Sequence, residues 1–393
     1  MIINFDNLMY KLILLSLLIF PIGTRVFLTF RPLDIVIFFI IILSINKIKI
    51  NSNLFVIYVL FFITLLISIL CGLFLSEQIK LEKIIFLYKF MMPFLLYLSI
   101  IRIDFTKKQL SKIIHTSFMI LLFMSLWVFA YYYMKLNGII IGHTRVSFPL
   151  SNYIYSDAHL YSVYLSISII FFISIRDKIL YSNLFFNTVI AISVLATLST
   201  ASRSGTVILF IGFMYIFISK STLRSFLKLL LLMIILLSII VMAINFISDD
   251  INELIEPLFN RAFSFNISND DSASIRFLSL ETAFSDSSSL FNLLGVGVLS
   301  SSKVWFDGGL STFIANTGFI GFILFIGFIV AFIISTIKYK NKYSSILILM
   351  FILYGLINFI SEYFLVTRSV FMFVIYTSLL YVLINQNNLK KEK

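Results

Sequence analysis

Stretches of about twenty apolar residues recur along almost the whole chain, separated by short polar turns that carry lysine and arginine. This repetition limits the fold more than any other feature. A helix needs about 20 apolar residues to cross a bilayer, with a range of about 17–25. Lipid offers a backbone no hydrogen-bond partners, and a helix satisfies its own. The spacing predicts spans near 8–24, 33–46, 54–75, 84–101, 113–134, 158–175, 180–199, 204–219, 229–247, 309–336, 344–361 and 369–386. The second and eighth are short. A large soluble core does not explain the pattern: 60% of the 393 residues are hydrophobic and 12% are charged, against about 45–50% and about 25% in soluble domains. The expectation is an all-α polytopic membrane protein, a single integral membrane domain over 1–393 with about twelve transmembrane helices. The first run has no small-residue cleavage site and reads as a retained helix, not a signal peptide.

The basic residues orient the chain. With the N-terminus cytoplasmic, the inside segments hold 18 of the 30 Lys and Arg and four of the 18 acidic residues. That follows the tendency of cytoplasmic loops to be basic and puts both termini in the cytoplasm. Residues 135–157 then form a medium outer loop. Residues 248–308 form a large outer loop late in the chain, rich in Ser, Asp and Asn. The net charge of +12 would suggest nucleic acid in a soluble protein. Here it belongs to loops facing anionic membrane lipid, and no nucleic-acid partner is expected. The lone cysteine, Cys71, lies in an apolar run. His115, His143 and His159 show no paired metal spacing, so no metal or other cofactor is expected.

Among these apolar runs, "LSTASRSGTVIL" (198–209) carries an arginine. A guanidinium stays charged in a protein, and at the centre of a lipid-facing helix it costs roughly 2.5–3.5 kcal/mol. The topology moves Arg203 to the outer end of a span, at the turn into the next. An interfacial arginine can simply snorkel. Snorkelling does not require the small neighbours Ser202, Ser204 and Gly205, which would let a backbone or a ligand approach. Arg145, in "HTRVSFPLSN", lies in the medium outer loop. Arg276, in "SASIRFLSLETAF", lies in the large one, where Ile275, Leu278, Ala283 and Phe284 are spaced as on a short amphipathic helix. Singly, each loop arginine is the kind of residue that more often stays solvated or ion-paired. Together the three could clamp an anion, because the planar fork of arginine fits phosphate.

In "LLGVGVLSSSKVWFDGGLSTFIANTGFIGFILF" (293–325), Gly295 and Gly297 form a weak G-x-G with no strand before it. Asp307 stands just before an apolar helix. It reads either as a helix N-cap or as a carboxylate poised to take a proton. Asp34 and Lys89 are the main charges inside spans, and Asp270 and Asp271 sit in a polar loop. There is no phosphate-binding P-loop, no acidic motif suited to a metal-bound sugar nucleotide, and no strong internal repeat. A transporter predicts two similar halves and a charged central cavity, whereas this chain is lopsided.

These residues resemble the bacterial O-antigen polymerase and ligase superfamily of multi-pass membrane glycosyltransferases. The resemblance rests on "SASRSGTVIL"-like text at 200–209, "SIRFLSLETAF" at 274–284, "LLGVGV" at 293–298, "DGGLSTFIANTGFIGFILF" at 307–325 and "TRVSFPLSN" at 144–152. It implies polymerisation of undecaprenyl-diphosphate-linked oligosaccharide units at the periplasmic face of the inner membrane, independent of metal and nucleotide sugar. Donor and acceptor are lipid-linked glycans, and a chain-length regulator and a flippase are the implied protein partners. Arg145, Arg203 and Arg276 would hold the donor diphosphate, and Arg203 and Arg276 would also stabilise the leaving group. The ligase branch carries a His-Asn pair eleven residues before the glycine matching Gly318. Here Asp307 and Gly308 occupy that place, so the chain looks more like the polymerase branch. Asp307 is the first candidate for the general base, with Glu281 and Asp286 behind it. A ligase-type transferase and a flippase for the same lipid-linked sugar remain alternatives.

Overall fold

The computed structural model describes residues 5–22, 31–45, 81–140, 145–150, 158–220, 309–339, 341–360 and 367–391, with isolated helical residues between 59 and 70 and at Leu278 and Leu293. Every regular element among them is helical. The helices are α1 (Phe5–Ile19), α2 (Pro32–Ser44), α3 (Leu81–Ile101), α4 (Lys107–Leu136), α5 (Ala158–Ser174), α6 (Asn183–Ser199), α7 (Arg203–Lys220), α8 (Gly309–Ile337), α9 (Lys342–Ile360) and α10 (Thr367–Lys391). They overlap ten of the twelve predicted stretches, most ends agreeing within a few residues, while α1 ends five residues early, α4 begins six early and α10 runs five beyond. The span at 229–247 lies outside the described residues, and so does most of the one at 54–75.

Among the described residues, two helical segments, Lys107–Leu136 and Thr317–Ile337, are by length and composition long and apolar enough to cross a membrane. α4 shows why that reading suits it. One face buries Leu110, Ile113, Ile114, Ser117, Phe118, Leu121, Met124, Ser125 and Val128 at helical spacing. The opposite face exposes Met119, Phe123, Leu126 and Phe129. A helix of a water-soluble protein sets charge opposite its apolar stripe, whereas a helix apolar all round belongs in a core or in lipid. The exposed sides of α2 (Ile35, Phe38, Phe39, Ile42) and α8 (Ile323, Val330, Ile334) are apolar in the same way.

The chain divides into two compact units. One holds most of α1 together with α2, α3, α8, α9 and α10. Its centre is a cluster of aromatic rings. Tyr97 of α3 meets Phe332 of α8 at 5.1 Å and Tyr381 of α10 at 6.2 Å, while Phe351 and Tyr354 of α9 meet Phe373 of α10 at 5.6 and 4.4 Å. Such ring pairs contribute about 0.5–1.5 kcal/mol beyond area burial. The run predicted as one span over 309–336 is not one continuous helix. Gly318 takes φ 64°, ψ −174° and breaks it, a backbone setting open to glycine because it has no Cβ.

The other unit holds the end of α1 and the bundle α4–α7. α4 and α6 run parallel: Ser125 Oγ donates to Ser193 Oγ at 2.8 Å, and Tyr132, seven residues on, donates its hydroxyl to the Ser199 carbonyl at 2.8 Å. α5 and α7 also run parallel, because Gly205 lies on Ser162 and Gly212 on Ile170. The short α5–α6 and α6–α7 connections reverse the chain direction. The C-termini of α4 and α6 and the N-termini of α5 and α7 therefore share one end of the bundle.

The α5–α7 seam relies on small residues. A methyl group on Gly205 would collide with the Ser162 side chain and come within 2.8 Å of its backbone carbon. Ser166 Oγ bridges the helices by donating to the Gly205 carbonyl at 2.7 Å. Lipid supplies no hydrophobic drive between helices, so close backbone approach and such bonds hold them together. At the opposite end, Ser182 caps α6 by accepting from the Phe185 amide at 3.3 Å. There Arg176 donates to the carbonyls of Ile179 and Tyr181 and to Asn183 Oδ1 at 2.6–2.9 Å, and covers the Phe186 ring at 4.6 Å.

Candidate functional site

Two of the predicted site residues lie at the shared end of the α4–α7 bundle. The turn from α6 to α7 has only three residues, Thr200, Ala201 and Ser202. It closes because Ala201, buried, adopts φ 51°. An L-residue in that left-handed region costs roughly 1–2 kcal/mol. Ser202 takes the N-cap position of α7, its carbonyl accepting from the Thr206 amide at 3.2 Å. Arg203 is then the first helical residue, half-buried. The first amides of a helix have no partner within it, and the macrodipole adds about half a positive charge at that end. A guanidinium placed there increases the positive potential instead of neutralising it. Such an end favours anions, phosphates among them.

The small neighbours of Arg203 serve packing. Gly205 is taken up by Ser162 and Ser166 of α5, and Ser202 and Ser204 join their hydroxyls at 3.0 Å. The glycine therefore seats α7 on its neighbour, and of the two uses expected for these residues, backbone approach is the one it performs.

Arg145 begins the segment 145–150, which folds against the same end. Val146, Ser147 and Phe148 are buried. Trp127 of α4 donates its indole N–H to the Ser147 carbonyl at 2.8 Å. Phe148 meets Tyr161 of α5 at 4.8 Å and Phe20, beyond α1, at 6.1 Å. Tyr132, near the end of α4, donates its hydroxyl to the Ser199 carbonyl at the end of α6 and lies within electrostatic reach of Arg145. Arg145 itself is half-buried.

Arg276, Asp307, Glu281 and Asp286 lie outside the described residues, as does nearly all of 248–308. Asp34 is buried in the first turn of α2, where a carboxylate complements the dipole, and its backbone carbonyl accepts from the Tyr88 hydroxyl at 3.2 Å. No group of three or more His, Cys, Asp or Glu able to hold a metal occurs among the described residues.

Three residues of interest escaped the sequence reading. Arg368, second in α10, is 1% exposed. "VTRSVF" repeats the Arg-Ser pair that opens α7, and that was its available signal. Trp127 and Tyr132 lie in the C-terminal half of α4, in the aromatic run "WVFAYYY", and membrane interfaces collect such rings. No family model and no curated protein matches the chain.

Proposed function

We propose that this protein is a membrane glycosyltransferase that polymerises undecaprenyl-diphosphate-linked oligosaccharide units into O-antigen or capsular polysaccharide. It would sit in the bacterial inner membrane as about twelve spans with cytoplasmic termini, and the Arg203 end of α4–α7 would face the periplasm. The observation that carries the reading is that the Arg145 segment packs on the bundle end at which Arg203 opens a helix. A diphosphate is the anion that suits two guanidinium forks and the N-terminal end of a helix.

In the proposed reaction an acceptor sugar hydroxyl attacks the anomeric carbon of the donor. The new carbon–oxygen bond forms as the bond to the lipid diphosphate breaks, and the diphosphate leaves with the electron pair. Arg145 and Arg203 stabilise the charge that develops on it, which is where preorganised electrostatics contribute most. Arg276 would join them, and Asp307 would accept the hydroxyl proton.

Deleting the gene and resolving surface polysaccharide on a gel tests this reading. A strain without the polymerase displays single repeat units. Long chains held on undecaprenyl diphosphate would instead indicate a ligase, and short units stranded in the cytoplasm a flippase. Unchanged glycan would remove the proposal.

A further inference from the structure

We propose that Tyr161 of α5 is a positioning residue that sets the Arg145 segment against the helix opened by Arg203. The purpose of that placement rests on the diphosphate reading, and its substance rests on contacts within the bundle. The Tyr161 ring packs on Phe148, three residues after Arg145, with centroids 4.8 Å apart. The next residue, Ser162, seats the other segment. A Cβ on Gly205, two residues after Arg203, would lie 2.3 Å from the Ser162 Cβ. One turn further along α5, Ser166 Oγ donates to the Gly205 carbonyl at 2.7 Å. Successive residues of a helix point about 100° apart, so neighbouring positions of α5 serve two different partners. One rigid helix thus carries both arginine-bearing segments, which lie far apart in sequence.

Tyr161 is itself fixed. Its hydroxyl donates to the Met124 carbonyl of α4 at 2.6 Å. Trp127, one turn beyond Met124, donates its indole N–H to the carbonyl of Ser147, the neighbour of Phe148, at 2.8 Å. The contacts therefore close a ring through Tyr161, α4, Trp127, Ser147 and Phe148. Segment 145–150 does not supply this order alone. It contains Leu150 at φ 54°, and a left-handed setting of that kind persists where the surrounding structure enforces it. Two guanidinium groups bind one diphosphate with their full combined strength only when both reach it at once.

The direct test measures two distances by electron paramagnetic resonance in a Cys71→Ser background. Spin labels at the exposed positions 150 and 207 span the Arg145 segment and α7, and labels at 184 and 207 span α6 and α7 as a control for the bundle. Tyr161→Ala broadens or shifts the 150–207 distribution and leaves 184–207 unchanged. An unchanged 150–207 distribution, or equal broadening of both pairs, overturns the proposal. If Tyr161→Ala does not purify as a folded protein, Phe148→Ala decides by the same two distances. It empties the same contact from the loop side and keeps the bond from Tyr161 to α4.

Inorganic pyrophosphate binding to the purified full-length protein gives the functional readout. Tyr161→Ala weakens it roughly tenfold, about the weight of one hydrogen bond to a charged group, and adds no further loss in an Arg145→Ala background. An equal loss in both backgrounds overturns the proposal, because Tyr161 then acts without Arg145. A changed 150–207 distance with unchanged pyrophosphate binding upholds the positioning role and removes the diphosphate reading.

Discussion

Three arginines show how much placement decides. Arg176 is consumed by carbonyls, an amide oxygen and a ring, so its work is structural. Arg203 opens a helix, and Arg145 begins a segment held on the same bundle end by Trp127 and Tyr161. Arg203→Ala is expected to slow polymerisation by on the order of 10²-fold, comparable with losing one preorganised transition-state donor. Arg203→Lys recovers only part of this, because lysine keeps the charge and loses the fork. Full activity in the lysine variant, measured as chain length on a gel, contradicts the bidentate role. Ala201 gives a second expectation. Ala201→Gly relieves the left-handed strain and raises stability by about 1 kcal/mol, whereas Ala201→Val lowers it. Thermal unfolding in detergent reads both, and a destabilised glycine variant would show that the strain is absent. The arginines were legible from their flanks, since charge in an apolar run attracts notice. The Tyr132 bridge was not, because it joins residues 67 apart in sequence through a carbonyl that carries no side-chain signal. The burial of Arg368 was hidden for the same reason: an arginine at a span end looks alike whether lipid or protein covers it.

At the scale of helices, the apolar spacing located the elements well, because a chain in lipid must form helices and length sets where they stop. Their internal breaks were less visible. "ANTGFIGF" reads as continuous apolar helix, yet Gly318 interrupts it with a left-handed φ. Pairing was also invisible, because all the helices are similarly apolar. It depends on small residues, of which Gly205 is the most confined. Gly205→Leu is expected to force α7 away from α5 and abolish both stable expression and activity. Ser166→Ala loses one interhelical bond, about 0.6 kcal/mol, and retains activity. If Gly205→Leu purifies and works normally, the seam has been misassigned.

For the whole molecule, the uneven charge distribution predicts sidedness. Position 150 belongs to the end of α4–α7 that carries Arg203, and Lys178 follows α5 at the other. In intact cells lacking Cys71, a membrane-impermeant maleimide is expected to label Leu150→Cys but not Lys178→Cys; labelling of both from outside would contradict the orientation. The stretch 248–308, expected as the large outer loop, holds Arg276 near its middle and Asp307 near its end, and apart from the helical spacing around Arg276 its polar sequence specifies no fold. Its part in the chemistry therefore rests on the resemblance. Reconstitution tests the central claim most directly. The purified protein in proteoliposomes is given undecaprenyl-diphosphate-linked repeat units, without metal or nucleotide sugar. Lipid-linked chains of two or more units should appear together with free undecaprenyl diphosphate, and Arg203→Ala should suppress both. Units that stay monomeric with the folded wild-type protein, or chains that grow equally well with Arg203→Ala, would contradict the account.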